Sequence, residues 1–445
     1  MAVGATALSG CRAPRGPVAP TTSPTPSSVA ASAANPFGVP AGARVELWAD
    51  DQWPSDWLDD VAAAAERGTL PLDVAANSSS ELAGQLLPRF TGQARPPELV
   101  LSTGPDRLGI AELTAQLSDL DPLLRARVDG RRLASALRPG CALTDARGVV
   151  RGVATTWQVH GLWYSTRLFD QLGIQPPGTC DELLTLGAVA RSRGKYLFTW
   201  GRDTAVWFLR LAISTATRQA GDGLLRQLDA MDPAGWEQES LQAALRCLRT
   251  CVQEGFVKPG GSARSWEQSR SAWSEQGEVL LVPAGAGMLA RANLSTGFAV
   301  GLVPDPSLDH AAAMPGTALH AGPAAPLLLP RRSVDPAAGR ELARRMLSRA
   351  WATRFSATNQ VVSAVSDAVP SNRPRGLQLQ LDALHRAGSD TYHWSFTDWY
   401  GTNHDHQALW NSFLEGEMDV ATLTAESQRT SSLVAADPAQ TGFQA

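Results

Sequence analysis

The hydrophobic pattern of the chain alternates between strand and helix spacing once it becomes regular near residue 44. Three short strand patterns are separated by two helical ones: the strands span 44–49, 72–76 and 98–102, and the helices 56–70 and 80–90. Alternation of apolar and polar positions indicates strands, and apolar recurrence every three or four residues indicates helices. Strands that alternate with helices predict a parallel sheet with helices on its faces.

A second region of the same kind follows. Residues 149–154 predict a strand that crosses out of the first region, and residues 161–187 predict a short strand, a helix, a Pro-Pro-Gly break and another helix. Thr179 suits the N-cap of that last helix. Glu182, three residues later, completes the pattern of a capping box.

The remaining pattern predicts a return toward the first region. Residues 298–303 read as a strand that ends at two prolines, and residues 327–329 read as a buried strand. A single helix is predicted over 335–355, with Pro336 in its first turn. The whole pattern therefore indicates an α/β protein whose chain crosses between two regions more than once.

The length and the net charge limit the kinds of protein that this chain can be. A chain of 445 residues exceeds the size at which a single hydrophobic core stops growing, so two lobes are expected, and 44% hydrophobic residues suffice for both cores. The net charge of −4 and the pI near 6.0 argue against nucleic acid as a partner.

The N-terminal residues predict a membrane anchor. Leu8-Ser9-Gly10-Cys11 resembles a bacterial lipobox, and Cys11 is the predicted lipidation site. Only ten residues precede Cys11, which is short for a signal peptide, so either the start is truncated or the motif is accidental. Residues 12–40 are rich in Pro, Ser, Thr and Ala, as flexible tethers are. With no apolar run of about 18 residues, the prediction is a protein anchored to the membrane, not spanning it.

A run of motifs inside 161–187 resembles the extracellular solute-binding proteins of bacterial carbohydrate ABC importers. The matching residues are Trp163-Tyr164, Leu168-Phe169, Gly173, Pro176-Pro177, Thr179 and Asp181-Glu182-Leu183. Ser165 and Cys180 stand where that family usually has Asn and Trp.

The resemblance implies a periplasmic-binding-protein-like fold, in which two α/β lobes joined by a hinge close on a ligand in the cleft between them. The expected division is a tether over 1–41, a first lobe of 42–153 plus 304–353, and a second lobe of 154–303 plus 354–445. It also implies an extracytoplasmic monomer that delivers a mono- or oligosaccharide, possibly an amino sugar, to an ABC permease. Neither catalysis, a cofactor nor a metal is expected.

Tryptophans near predicted strand ends supply candidate ligand contacts. Fourteen Trp against four Tyr is unusual, and a sugar needs flat aromatic surfaces flanked by carboxylates, amides and guanidinium groups. Ligands in open α/β sheets lie beyond the carboxyl ends of strands. The candidates from strand ends and from the predicted crossing are Trp48, Asp50, Asp51, Thr103, Asp106, Arg107, Trp157, Gln158 and His160. The resemblance adds Trp200, Asp203, Trp207, Gly285, Trp394, Trp399 and Tyr400, and it also favours Asp106 and Arg107.

Other functions stay open on the sequence alone. Arg107 and Arg202 would suit a polar ligand such as a glycerophosphodiester, and an exported glycoside hydrolase would need only a pair of carboxylates that the fold assembles. A non-binding adaptor is a further alternative. Gly285-Ala-Gly287 follows an apolar run as in a dinucleotide fingerprint, but Pro283 is expected to interrupt its strand.

Two further groups of residues could carry chemistry. His404 and His406 could bind a metal, although the pattern around them favours a solvated polar loop. Cys141, Cys180, Cys247 and Cys251 permit two disulfides in an exported protein, with three possible connectivities.

Overall fold

The structure is a computed structural model that describes residues 29–50, 55–66, 70–79, 81–92, 94–103, 108–285, 287–288 and 298–443. The strands are β1 Ala43–Asp50, β2 Leu72–Ser79, β3 Leu99–Leu101, β4 Arg127–Val128, β5 Arg131–Arg132, β6 Ala142–Thr144, β7 Val150–Ser165, β8 Tyr196–Phe198, β9 Val279–Gly285, β10 Val300–Val303, β11 Leu319–Leu328, β12 Val362–Ser363 and β13 Thr391–Tyr392.

The helices cover the faces of the sheet. In chain order they are α1 Ser55–Glu66, α2 Leu82–Phe90, α3 Asp121–Arg125, α4 Thr166–Leu172, α5 Cys180–Ser192, α6 Val206–Ala220, α7 Gly223–Asp229, α8 Glu239–Gln253, α9 Trp266–Ser269, α10 Ser271–Ser274, α11 Pro336–Met346, α12 Arg349–Asn359, α13 Arg375–Ala387, α14 Phe396–Trp399, α15 Asn403–Leu414 and α16 Val420–Ala436. Within the described residues, no helix is both long enough and apolar enough to cross a membrane.

One large mixed sheet organises the described part of the chain. Its order is β2-β1-β3-β11-β7-β9-β8, and β6, β10, β12 and β13 pair along its sides. β1, β2 and β3 are parallel, as the sequence predicts, and so are β8 and β9. The predicted α/β class is confirmed, with antiparallel β7 and β11 running through the middle.

β7 is the strand that joins the two groups of parallel strands. It is continuous over Val150–Ser165, whereas the sequence predicted a crossing strand over 149–154 and a separate strand from Gly161. Its first half pairs with β11, and its second half pairs with β9 and β10. The pattern missed this continuity because most of β7 is buried on both faces, so apolar and polar residues do not alternate clearly.

The predicted N-cap of α5 is confirmed, but the capping box is altered. The Thr179 side chain accepts a hydrogen bond from the Glu182 N–H at 3.3 Å. The Glu182 carboxylate, however, accepts from the N–H of Gly178 at 2.6 Å, one residue before the cap. The start of α5 is therefore marked by both residues, with the return bond displaced by one position.

The long helix predicted over 335–355 is two helices. Asp335 caps α11 by accepting from the Ala338 N–H at 2.9 Å, which agrees with the predicted start at Pro336. Ser348 then caps α12 by accepting from the Trp351 N–H at 3.4 Å. A side chain that satisfies the free N–H groups of a new first turn favours a break at this position.

Candidate functional site

The carboxyl ends of β1 and β3 lie level with the middle of β7. Leu101, the last residue of β3, pairs with Leu327 of β11, and Leu327 pairs with Val153 of β7. Because β11 is antiparallel to both neighbours, β7 runs in the same direction as β3. β7 therefore continues beyond this edge of the sheet, and Trp157 to His160 lie just past it.

The second group of parallel strands points back at the same residues. β8 and β9 run antiparallel to β7, and Gly285, the last residue of β9, pairs with His160. Two sets of carboxyl strand ends thus face each other across Trp157 to His160, which we call the floor segment. Carboxyl strand ends are where ligands bind in open α/β sheets, so the candidate site lies here.

Gly285 leaves room for the two polar side chains of the floor segment. Gln158 and His160 project from the same face of β7, because residues two apart in a strand share a face. A Cβ added at Gly285 would lie 2.5 Å from Gln158 Nε2 and 2.8 Å from His160 Cε1. Gly285 therefore lies directly against two other predicted site residues, and this close approach requires glycine.

A stack of rings supports His160 from the other side. The His160 ring lies 4.3 Å from the His320 ring at an interplanar angle of 15°, and His320 lies 3.7 Å from the Trp394 ring at 20°. All three side chains are buried. Burial, with His160, His393 and Arg210 nearby, holds the pKa of His320 well below its usual value. The middle ring of the stack, His320, is therefore uncharged at neutral pH.

Trp207 reaches the floor segment from α6. With His160, Arg210 and Asp305 it lines a very small cavity of about 10 Å³. The Trp207 ring meets the Trp266 ring edge-on, with 5.1 Å between their centroids. Asp203 holds Trp266 in place by accepting a hydrogen bond from its backbone N–H at 2.6 Å. Asp203 thus positions aromatic residues.

Asp305 is a buried acid beside the same cavity. Burial raises the pKa of Asp305 to about 7, although a hydrogen bond from Ser214 and the charge of Arg218 act in the opposite direction. The Ser214 hydroxyl is also 2.8 Å from the Tyr392 hydroxyl. The carboxyl group is therefore largely protonated below neutral pH, within a buried polar network.

Replacing Asp305 by Asn is expected to change the pH dependence of stability. Between pH 4 and 7 the native protein holds a proton on Asp305 that the unfolded chain has lost. Wild-type stability therefore falls as pH rises through this window, by up to about 1.4 kcal/mol per pH unit. Asn cannot ionise, so the variant should not lose stability in this way. Urea unfolding should show that the free energy of unfolding of Asp305→Asn, relative to that of the wild type, increases from pH 4 to 7.

The exposed Asp59 of α1 offers a matched control for this measurement. Asp59→Asn should keep a nearly constant difference from wild type over the same pH range. A constant difference for Asp305→Asn as well would show that the buried carboxyl group is not held protonated.

Trp48 and Trp200 do not lie at the floor segment. Trp48 packs on the face covered by α2, where the Arg89 guanidinium lies 5.6 Å from its ring and its Nε1–H donates to Glu46 at 2.7 Å. Trp200 is 1% exposed in the core, because Gly261 lets the backbone lie directly against its ring.

Trp399 and Tyr400 lie where a C-terminal segment crosses the protein. Trp399 is buried beside residues of α2 and β3, and its Nε1–H donates to the Thr441 carbonyl at 2.6 Å. Its own carbonyl accepts from the Ile110 N–H at 2.8 Å. Phe443 packs on both aromatic rings, at 5.6 Å from Trp399 and 6.3 Å from Tyr400. These aromatic residues join separate segments of the chain to one another.

The other predicted site residues divide into two groups. Asp50 and Thr103 are buried at the carboxyl ends of β1 and β3, on the side that faces the floor segment. Trp157 projects from the opposite face of β7 to Gln158 and is half-buried. The predicted residues outside the described part of the chain are Cys11, Asp51, Asp106 and Arg107.

The sequence does not predict His320 and Arg210 as site residues. His320 lies in an apolar run that becomes β11, so the only available signal was a rare histidine among buried residues. Arg210 lies inside the buried face of α6, where a charged residue is unusual. Both signals mark a buried polar group, and such groups frequently belong to functional sites.

Two further sequence expectations are wrong. Pro283 lies within β9, paired opposite Leu162, and does not interrupt the strand. The stretch around His404 and His406 is the first turn of α15 and not a solvated loop, and His406 is 1% exposed against Trp236. Among the described residues no cluster of three or more His, Cys, Asp or Glu could hold a metal ion.

Known proteins are similar to this chain in sequence and in architecture. The sequence profile described as "Bacterial extracellular solute-binding protein" matches residues 54–353. The chain belongs to this family. Diacetylchitobiose binding protein NgcE of Streptomyces coelicolor is 32% identical over 416 residues, which cover 91% of this chain and 88% of NgcE.

Two solved structures have the same fold as this chain. A chitin oligosaccharide binding protein superposes with a TM-score of 0.70 at 17% identity, covering 87% of this chain and 98% of its own. RafE of Streptococcus pneumoniae superposes with a TM-score of 0.65 at 15% identity, covering 88% and 98%. The periplasmic-binding-protein-like fold predicted from the sequence is confirmed.

Proposed function

We propose that this chain is the substrate-binding component of a sugar ABC importer and that it binds a short oligosaccharide of N-acetylglucosamine. The observation that carries the proposal is the 32% identity to diacetylchitobiose binding protein NgcE across 91% of the chain. The ligand would lie over the floor segment, between the two sets of strand ends.

The chemistry of the floor segment fits such a ligand. Gln158 offers an amide that can both donate to and accept from sugar hydroxyl and acetamido groups. Trp207 lines a cavity together with His160, its indole is half-buried, and an apolar ring face suits the C–H face of a pyranose. Asp50 and Thr103 add polar groups from the opposite strand ends.

The arrangement of the lobes belongs to the same proposal. The first lobe would comprise 42–153 and 304–353, and the second 154–303 and 354–445, with closure driven by contacts that the sugar makes in both lobes. A lipid on Cys11 would hold the protein at the outer face of the cell membrane, and a permease would receive the sugar. The protein would perform no reaction on its ligand.

Calorimetric titration with diacetylchitobiose tests the proposal. We expect a dissociation constant in the micromolar range or below, roughly −8 kcal/mol or more favourable. Cellobiose has the same linkage without the acetamido groups, so it should bind at least about tenfold more weakly. Absence of binding to both disaccharides and to N-acetylglucosamine would refute the proposal.

The same samples distinguish binding from hydrolysis. After prolonged incubation, chromatography should recover diacetylchitobiose intact. Release of N-acetylglucosamine in proportion to protein concentration would identify an enzyme instead.

A further inference from the structure

Three cysteine side chains meet between α5 and α8, away from the floor segment. Cys180 is the first residue of α5, and Cys247 and Cys251 lie one turn apart on α8. All three are buried free thiols in the same apolar cluster, and Cys180 and Cys247 keep 7% and 8% of their surface exposed. The three side chains lie close enough together that Cys180 and Cys251 both affect the pKa of Cys247.

We propose that Cys180 and Cys247 are a disulfide-forming pair that covalently fastens the start of α5 to α8 in the oxidised protein. The two residues lie on different helices, so small movements of either helix can adjust their separation. Because the family is extracellular, the chain is expected to encounter oxidising conditions, in which disulfides form and persist.

Helix geometry disfavours one alternative, the pair Cys247 and Cys251 within α8. Residues four apart on a regular helix have Cβ atoms about 5–6 Å apart. A disulfide needs Cβ atoms about 3.5–4.5 Å apart. Cys247 and Cys251 therefore cannot be joined without unwinding α8. Cys141 lies in a separate cluster with Ala154 and Ala364, and none of the other described thiols lies in that cluster.

Hydrogen bonding favours Cys247 as the attacking thiol. Hydrogen bonds from Cys180 and Cys251 lower the pKa of Cys247, because both neighbours can donate to its thiolate. The thiolate attacks a small-molecule disulfide and releases one thiol. The Cys180 thiolate then attacks the sulfur of Cys247 and releases the second thiol. Overall, two cysteine thiols are oxidised, one small disulfide is reduced to two thiols, and no other electron acceptor is needed.

The link would stabilise the folded protein. It would close a loop of about 70 residues in the unfolded chain, which lowers the entropy of the unfolded state. The oxidised protein should therefore unfold at a temperature several degrees higher than the reduced protein, and a reductant should reverse the shift.

Thiol titration and peptide mapping of the full chain test the pair. All proteins carry Cys11→Ser, so only the four described cysteines are titrated. After incubation with oxidised glutathione, the protein should lose two thiols, and mass spectrometry should find one cross-linked peptide that contains Cys180 and Cys247. Cys180→Ser should lose both the cross-link and the thermal shift, while Cys251→Ser and Cys141→Ser should keep them.

Several results would overturn the proposal. A cross-link that joins any other pair, a stable glutathione adduct without a cross-link, or four unreacted thiols after incubation would each do so. Circular dichroism of Cys180→Ser separates loss of the link from loss of folding. If that variant does not fold, Cys247→Ser provides the same test from the other helix.

Discussion

Replacing Gly285 by Val should reduce the affinity for the proposed ligand, diacetylchitobiose, by roughly 30-fold or more, a loss of about 2 kcal/mol. Gly285 ends β9, and an added Cβ would lie within 2.8 Å of both Gln158 and His160. The Gln158 amide can swing aside, but His160 is held against His320 and cannot move without disturbing the stack. Calorimetric titration measures the loss.

The substitution should disturb the packing around His160 locally and leave the pairing of β9 intact. Val is favoured in strands, so β9 should keep its pairing with β7. The variant should therefore keep the circular dichroism spectrum of the wild type while losing affinity. Its loss of binding would then report on the floor segment and not on unfolding.

Gly287 supplies the matched control two residues later. A Cβ added there would meet no described atom within 4 Å. Gly287→Ala should bind diacetylchitobiose within about twofold of wild type. If Gly285→Val also bound normally, the floor segment would not be the ligand site.

Replacing Glu341 by Ala should lower the free energy of unfolding by about 3–5 kcal/mol. The Glu341 side chain is 1% exposed, and its carboxylate accepts hydrogen bonds from Arg344 at 2.7 Å and from Arg345 at 2.9 Å. Arg345 in turn donates to the carbonyls of Ala65 and Leu70, at the end of α1 and before β2. Removing the carboxylate leaves two partly buried guanidinium groups without their counter-charge. Urea unfolding at constant pH measures the change.

An exposed pair of the same spacing provides the control. Glu426 and Arg429 are three apart on α16, and their side chains are 37% and 64% exposed. Glu426→Ala should change stability by no more than about 1 kcal/mol, because water screens an exposed ion pair. Similar losses for the two variants would show that burial does not strengthen the Glu341 network.

The sequence predicted the elements of the first region well because their signals are local. The observed β1, β2, α1 and α2 lie close to their predicted ranges. In the second region, the N-cap at Thr179 was also predicted correctly, because it depends only on Thr179 and on Glu182 three residues later. The break between α11 and α12 was missed. The cap residue Ser348 lies inside a continuous helical pattern, and that pattern predicts one helix where the structure has two.

The candidate site was predicted in part. Gln158, His160 and Gly285 were each named from the sequence, and the structure brings them into contact. Their contact depends on the register of β7 against β9, which no local pattern reveals. Trp200 was an equally reasonable candidate, but Gly261 places it in the core.

By itself, the sequence determined the α/β class, the order of most elements and the resemblance to a family. These depend on apolar spacing, caps and Gly or Pro breaks, all of which act between residues close in the chain. Only the tertiary structure decided which side chains meet at the floor segment. Strand register and helix packing join residues far apart in sequence, such as His160 with His320, and a one-residue change of register would turn each side chain to the other face.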